Sequence, residues 1–166
     1  VLGRIGYLDL IFPGVLRLNI GGHEGARVHI HLAMLGISKV DVAGNAEDAT
    51  RLIKQRRYNL VLCDYNLNQK TDGQQLLEFL RDNNLLPADC LFFMITAESS
   101  YASVASATEH HPDAYLLKPT TAADIGDRLQ VQLEKRAALL PISQRRGARS
   151  SSGSTWSVGM AVCDKS

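Results

Sequence analysis

The stretch LVLCDYNLNQKTDGQQLLEFLR, residues 60–81, decides the fold. Apolar residues from Leu60 to Cys63 run straight into Asp64, and turn-forming residues then lead to a segment in which Leu76, Leu77 and Leu80 share one helical face. A short apolar run bounded by turn chemistry reads as a fully buried strand. Asp72-Gly73 reads as the start of a helix, because a short acidic side chain can cap the exposed amides there. The aspartate at the end of an otherwise apolar strand therefore needs a reason.

Outward from this stretch the same alternation recurs. The apolar runs VLRLNI (15–20), SKVDVA (38–43), CLFFMIT (90–96) and DAYLLK (113–118) are separated by longer segments of helical period. Ala49, Leu52 and Ile53 share a face, as do Ile125, Leu129 and Leu133, and Asn45 is a second capping residue. Strands alternating with helices predict a parallel sheet built from βαβ units. RVHIHLAML (27–35) fits either period: V-H-I-H-L alternates like a strand, while Val28, Leu32 and Leu35 fit a helix.

With 166 residues, 45% of them apolar, and a formal net charge of +1, the chain is expected to form one globular domain with tails. The charge balance points to neither direct nucleic-acid binding nor an acidic tail. Cys63, Cys90 and Cys163 have no metal or disulfide spacing, which fits a reducing, cytoplasmic setting. No run approaches the roughly 18 apolar residues of a membrane helix, and the opening residues lack the pattern of a signal peptide. The chain opens on Val1 rather than methionine, which leaves its true start open. Residues 1–14 read as an N-terminal extension, 15–138 as the folded domain, and 139–166, rich in Arg, Ser and Gly, as a disordered or linker tail. His29 and His31, and the adjacent His110-His111, lack metal-ligand spacing.

In an open parallel sheet, side chains at the carboxyl ends of the strands converge on the crevice where ligands sit. Asp64, Thr96 and Lys118 each follow an apolar run and reach that edge together. A carboxylate, a hydroxyl and an ammonium suit phosphoryl transfer to the carboxylate. Asp64 would be the nucleophile, Lys118 would pair with one oxygen of the transferred group, and Thr96 would donate to another. Cys63, next to Asp64, points to the other face of its strand and belongs to the core.

These residues resemble the receiver domain of bacterial two-component response regulators. The resemblance covers roughly residues 15–138 and rests on LVLCDYNL, the Asp72-Gly73 opening of the third helix, MITA ending near Thr96, and AYLLKP. It implies a three-layer α/β flavodoxin-like fold, (βα)5, with parallel strand order 2-1-3-4-5, and makes RVHIHLAML the first helix. It further implies phosphoacceptor Asp64, a switch pair Thr96 and Tyr115, and a cis Lys118-Pro119 bond. Mg²⁺ would be held by Asp64 and the backbone carbonyl of Asn66. Implied partners are a sensor histidine kinase or phosphotransfer protein and a downstream protein or output domain. A homodimer would form through the face of the fourth and fifth helices and fifth strand. LCDYNL with DGQQLLEFLR and PDAYLLKP is also similar to receivers that precede tetratricopeptide repeats.

At one point the chain departs from the family's pattern. Where receivers end the first strand with two acidic Mg²⁺ ligands, Asn19-Ile20 stands here. Asn19 can offer a neutral oxygen and Ile20 none, so metal affinity is expected to fall. Glu24 is the nearest other carboxylate. Two further functions follow as alternatives: a phosphorylation-independent pseudo-receiver acting as an interaction module, and a haloacid-dehalogenase-like phosphatase, which also uses an aspartyl nucleophile. The phosphatase needs an acid/base aspartate where Asn66 stands, so a non-enzymatic signalling module is the expectation.

Overall fold

The computed structural model describes residues 12, 14–18, 22–67, 70–98 and 109–139. Five strands, β1 (Val15–Leu18), β2 (Val40–Ala43), β3 (Leu60–Asp64), β4 (Leu91–Thr96) and β5 (Ala114–Leu117), form one sheet. The described helices are α1 (Gly22–Met34), α2 (Ala46–Gln55), α3 (Gly73–Asp82) and α4 (Ala122–Leu139). All neighbouring strands are parallel and their order is β2-β1-β3-β4-β5.

This is the flavodoxin-like α/β fold, and its handedness sets the layers. The chain steps one way from β1 to β2, then the other way from β2 to β3 and on to β4. Parallel crossovers are right-handed, so α1 covers one face of the sheet and α2 and α3 the other. The direction reverses between the neighbouring strands β1 and β3, and a crevice opens at their carboxyl ends.

Period-two alternation divides the strands between the faces. On the α2 and α3 side, Leu16, Leu18, Val61, Cys63, Phe92 and Met94 join Ala49, Ile53, Leu76, Leu77 and Leu80 in one buried cluster. Leu60, Leu62, Leu91, Phe93 and Ile95 point the other way and are equally inaccessible. A strand buried on both faces reads as a continuous apolar run, which is why LVLC showed no alternation. Each buried Leu or Phe contributes roughly 1.5–3 kcal/mol relative to exposure.

Local chemistry sets the helix ends. Asn45 Oδ1 accepts from the Asp48 amide at 2.7 Å, and Asp72 forms a capping box with Gln75. Helix α1 stops at Gly36, whose φ of 80° suits a residue without Cβ, and the Ile37 amide returns to the Leu32 carbonyl. RVHIHLAML, undecided by period, lies in and just past α1, with Val28 and Leu32 buried.

Two compact units are distinguished, Val1–Gly126 and Asp127–Ser166. The sheet, α1 to α3 and the first turn of α4 belong to the first, and the described part of the second is the rest of α4. Phe12 is buried, and the Gly14 carbonyl accepts from Asn59 and Leu60, so packing begins just ahead of β1. Asn19-Ile20, the expected helix between β4 and β5 (residues 99–108), Cys163, most of the N-terminal extension and the tail from 140 lie outside the described residues.

Candidate functional site

The site begins with the end of β3. Asp64 is the last residue of the strand, paired in register with Ile95, and the Tyr65 amide continues the ladder by donating to the Ile95 carbonyl at 2.8 Å. That extra rung holds the backbone on both sides of the carboxylate. Asp64 is only 5% exposed. A buried carboxylate must be paired to persist as an anion, and both of its oxygens have donors. The Asn66 amide donates to Oδ1 at 3.1 Å and Lys118 Nζ to Oδ2 at 2.6 Å.

Gly73 explains how α3 can start so close to this carboxylate. Its amide donates to the Tyr65 carbonyl at 2.8 Å, and a Cβ there would lie 2.6 Å from the Asp64 carbonyl oxygen and 2.8 Å from Met94 Sδ. Only glycine fits without displacing the strand end. On the other side of the strand, burial first and the Asp64 and Asp72 charges next push the Cys63 thiol well up, so it stays a neutral core group.

Lys118 follows β5 directly. Its amide donates to the Thr96 carbonyl at 2.8 Å, which ties the ends of β4 and β5 together, and the Lys118–Pro119 bond is cis. Thr96 is buried, but its hydroxyl turns back on its own loop: it accepts from the Glu98 amide at 3.1 Å and lies 3.4 Å from the Glu98 carbonyl. Of the three strand-end groups, Asp64 and Lys118 meet through side chains and Thr96 meets Lys118 through its backbone. Tyr115 packs against the core cluster with its hydroxyl buried and without a hydrogen-bond partner among the described residues. Burial, and then nearby Tyr65, push that hydroxyl's pKa up.

One residue is committed where spacing gave no hint. Glu24, in the first turn of α1, accepts the Thr120 amide on Oε1 at 2.8 Å, bridging the start of the first helix and the loop after β5. Among the described residues no group of three or more His, Cys, Asp or Glu could hold a metal; Asp64 takes one donor on each oxygen, and Glu24 Oε1 takes the Thr120 amide. Asn66 contributes its amide to Asp64, and Asn19 lies outside the described residues. No described helix is long and apolar enough to cross a membrane.

Comparison with known proteins agrees with this geometry. Residues 26–130 match the response regulator receiver domain. A probable chemotaxis protein CheY of Rhizobium etli is 31% identical over 91 residues, covering 54% of this chain and 68% of that protein. The signal receiver domain of a modulated diguanylate cyclase from Desulfovibrio desulfuricans G20 superposes with a TM-score of 0.61 at 27% identity, over 74% of this chain and 94% of the other. A CheY-like receiver domain from Methylobacillus flagellatus shares the fold, with a TM-score of 0.57 at 24% identity over 71% and 96% of the two chains. With its sheet order, its buried strand-end aspartate and this match, the chain belongs to the family of response regulator receiver domains, modules of phosphorylation-mediated two-component signalling.

Proposed function

We propose that Asp64 is the phosphoacceptor of this receiver, with Lys118 as the cation that neutralises the arriving group. The observation that carries the reading is the 2.6 Å contact between Lys118 Nζ and Asp64 Oδ2, with the Asp64 side chain 7% and the Lys118 side chain 28% exposed. In the transfer, a carboxylate oxygen of Asp64 attacks phosphorus. The O–P bond to Asp64 forms as the P–N bond of a phosphohistidine donor, or the P–O bond of acetyl phosphate, breaks. The histidine or acetate leaves with the electron pair. Lys118 then shifts from the carboxylate to a phosphoryl oxygen, so its positive charge stays compensated throughout.

Thr96 and Tyr115 form the switch in this reading. Among the described residues the Thr96 hydroxyl is engaged with the Glu98 backbone, and it can exchange that partner for a phosphoryl oxygen, drawing the loop after β4 inward. The Tyr115 hydroxyl, which has no hydrogen-bond partner among the described residues, follows. The donor is a sensor histidine kinase or phosphotransfer protein, the output a downstream protein or domain, and the setting the cytoplasm. Residues 15–138 form the receiver, which acts as a signalling module and not an enzyme. A homodimer through the β5 edge, where Leu117 is half-exposed, accompanies the proposal. Family members use Mg²⁺; with Asn19-Ile20 in place of the acidic pair its affinity is expected to be low, and Lys118 alone neutralises only part of the arriving charge, so labelling is slow.

The test is incubation with acetyl phosphate, with and without Mg²⁺, followed by intact-mass measurement. The added mass of one phosphoryl group is expected in the parent chain and not in Asp64→Asn. No uptake under either condition would turn the reading to a phosphorylation-independent interaction module.

A further inference from the structure

The loop after β5 carries Lys118, and its hold on the rest of the molecule is short. Upstream, the Lys118 amide is fixed to the Thr96 carbonyl at 2.8 Å. Downstream, the Thr120 amide is fixed to Glu24 Oε1 at 2.8 Å, across 96 positions of sequence. Thr120 is buried, so its amide cannot turn to water instead, and an unmet buried amide is costly. Between these two anchors sits a lysine with a long flexible stem, whose ammonium rests on Asp64.

We propose that Glu24 is a positioning residue: its carboxylate latches the loop after β5 and so keeps Lys118 over the reacting carboxylate. The inference rests on the phosphoacceptor reading of Asp64. Two other roles fit a glutamate at this point, a negative charge favouring the helix start and a metal ligand. Each predicts a different ranking of variants. A latch needs an oxygen of the right reach and tolerates loss of charge, because a neutral amide oxygen still accepts, at about half the strength. Helix-start and metal roles need the charge more than the reach.

The experiment compares the parent chain with Glu24→Gln and Glu24→Asp, both polar changes at a half-buried position. Acetyl phosphate labelling rates over a range of Mg²⁺ concentrations are read beside hydrogen exchange of the Thr120 amide. Glu24→Gln is expected to label within about twofold of the parent, since its carbonyl keeps the bond. Glu24→Asp, its oxygens drawn back by one methylene, is expected to label roughly tenfold slower or worse, because small misplacements of a catalytic group are costly. Its Thr120 amide is expected to exchange about tenfold faster or more, the fold-change a lost hydrogen bond produces. The reverse ranking, or a slow Glu24→Asp that extra Mg²⁺ restores, overturns the latch in favour of charge or metal binding. Parent-rate labelling in Glu24→Asp despite fast Thr120 exchange also overturns it. A parent chain that takes up no phosphoryl group defeats the phosphoacceptor reading and the latch with it, and that failure is seen before any variant is compared.

Discussion

At the amino end of the sheet, Asp41 of β2 accepts Arg56 Nη1 at 3.1 Å and the Tyr58 hydroxyl at 2.7 Å. At the carboxyl end, Asp64 of β3 accepts Lys118 Nζ at 2.6 Å. Both are carboxylates beside a cation, yet side-chain exposure is 38% and 66% for Asp41 and Arg56, against 7% and 28% for Asp64 and Lys118. Water can replace either partner of the first pair. It cannot readily replace the second, whose two charges depend on each other for compensation. Burial, more than the residue types, separates the two contacts.

Breaking the inner pair is predicted to have the largest effects. Asp64→Asn should abolish labelling by acetyl phosphate, read by intact mass. Lys118→Met should slow labelling about a hundredfold, since it removes the cation at the developing charge. It should also lower stability by roughly 1–3 kcal/mol in urea unfolding, less than the 3–5 kcal/mol of a fully buried pair because Lys118 is partly wet. Gly73→Ala tests the packing behind Asp64. The added Cβ meets backbone at 2.6 Å, and a loss of about 1–3 kcal/mol with a lowered urea midpoint is expected.

The outer pair should yield little. Asp41→Asn is expected to change stability by less than about 1 kcal/mol and to leave the labelling rate at the parent value. Tyr58 sharpens the contrast through pH. Burial, the hydrogen bond to Asp41 and its charge push the phenol from 10.0 up to about 12. The folded state therefore holds the proton more tightly than the unfolded chain. This contribution is complete below pH 10 and is lost as pH rises towards about 12. Thermal melts across that window should fall more steeply for the parent than for Tyr58→Phe, which costs about 1 kcal/mol at neutral pH through the lost hydrogen bond.

What the sequence made legible follows from the range of each interaction. The caps at Asn45 and Asp72 act within three residues and could be read directly. The strands could be read because a strand buried on both faces must be apolar throughout. The convergence of Asp64 and Lys118 followed from strand ends and the reversal of chain direction, and LVLCD and AYLLKP carried the family. Contacts of distant polar residues away from the strand ends were not legible. Glu24 was visible as a nearby carboxylate, but nothing in its neighbours points to the Thr120 amide. Likewise the Thr96 hydroxyl, expected to face the transferred group, is held by Glu98, because a short side chain beside its own loop finds a local amide first. By period alone RVHIHLAML was ambiguous, since Val28 and Leu32 satisfy both; the family resemblance made it the first helix, as its position between two parallel strands requires.

The central claim is that the buried carboxylate at the end of β3 receives the phosphoryl group. Borohydride reduces an aspartyl phosphate to homoserine, which marks its position in a peptide map. After labelling and reduction, homoserine is expected at residue 64 and at no other aspartate. Homoserine at Asp72, Asp113 or another position, with residue 64 unmodified in a labelled chain, would contradict it.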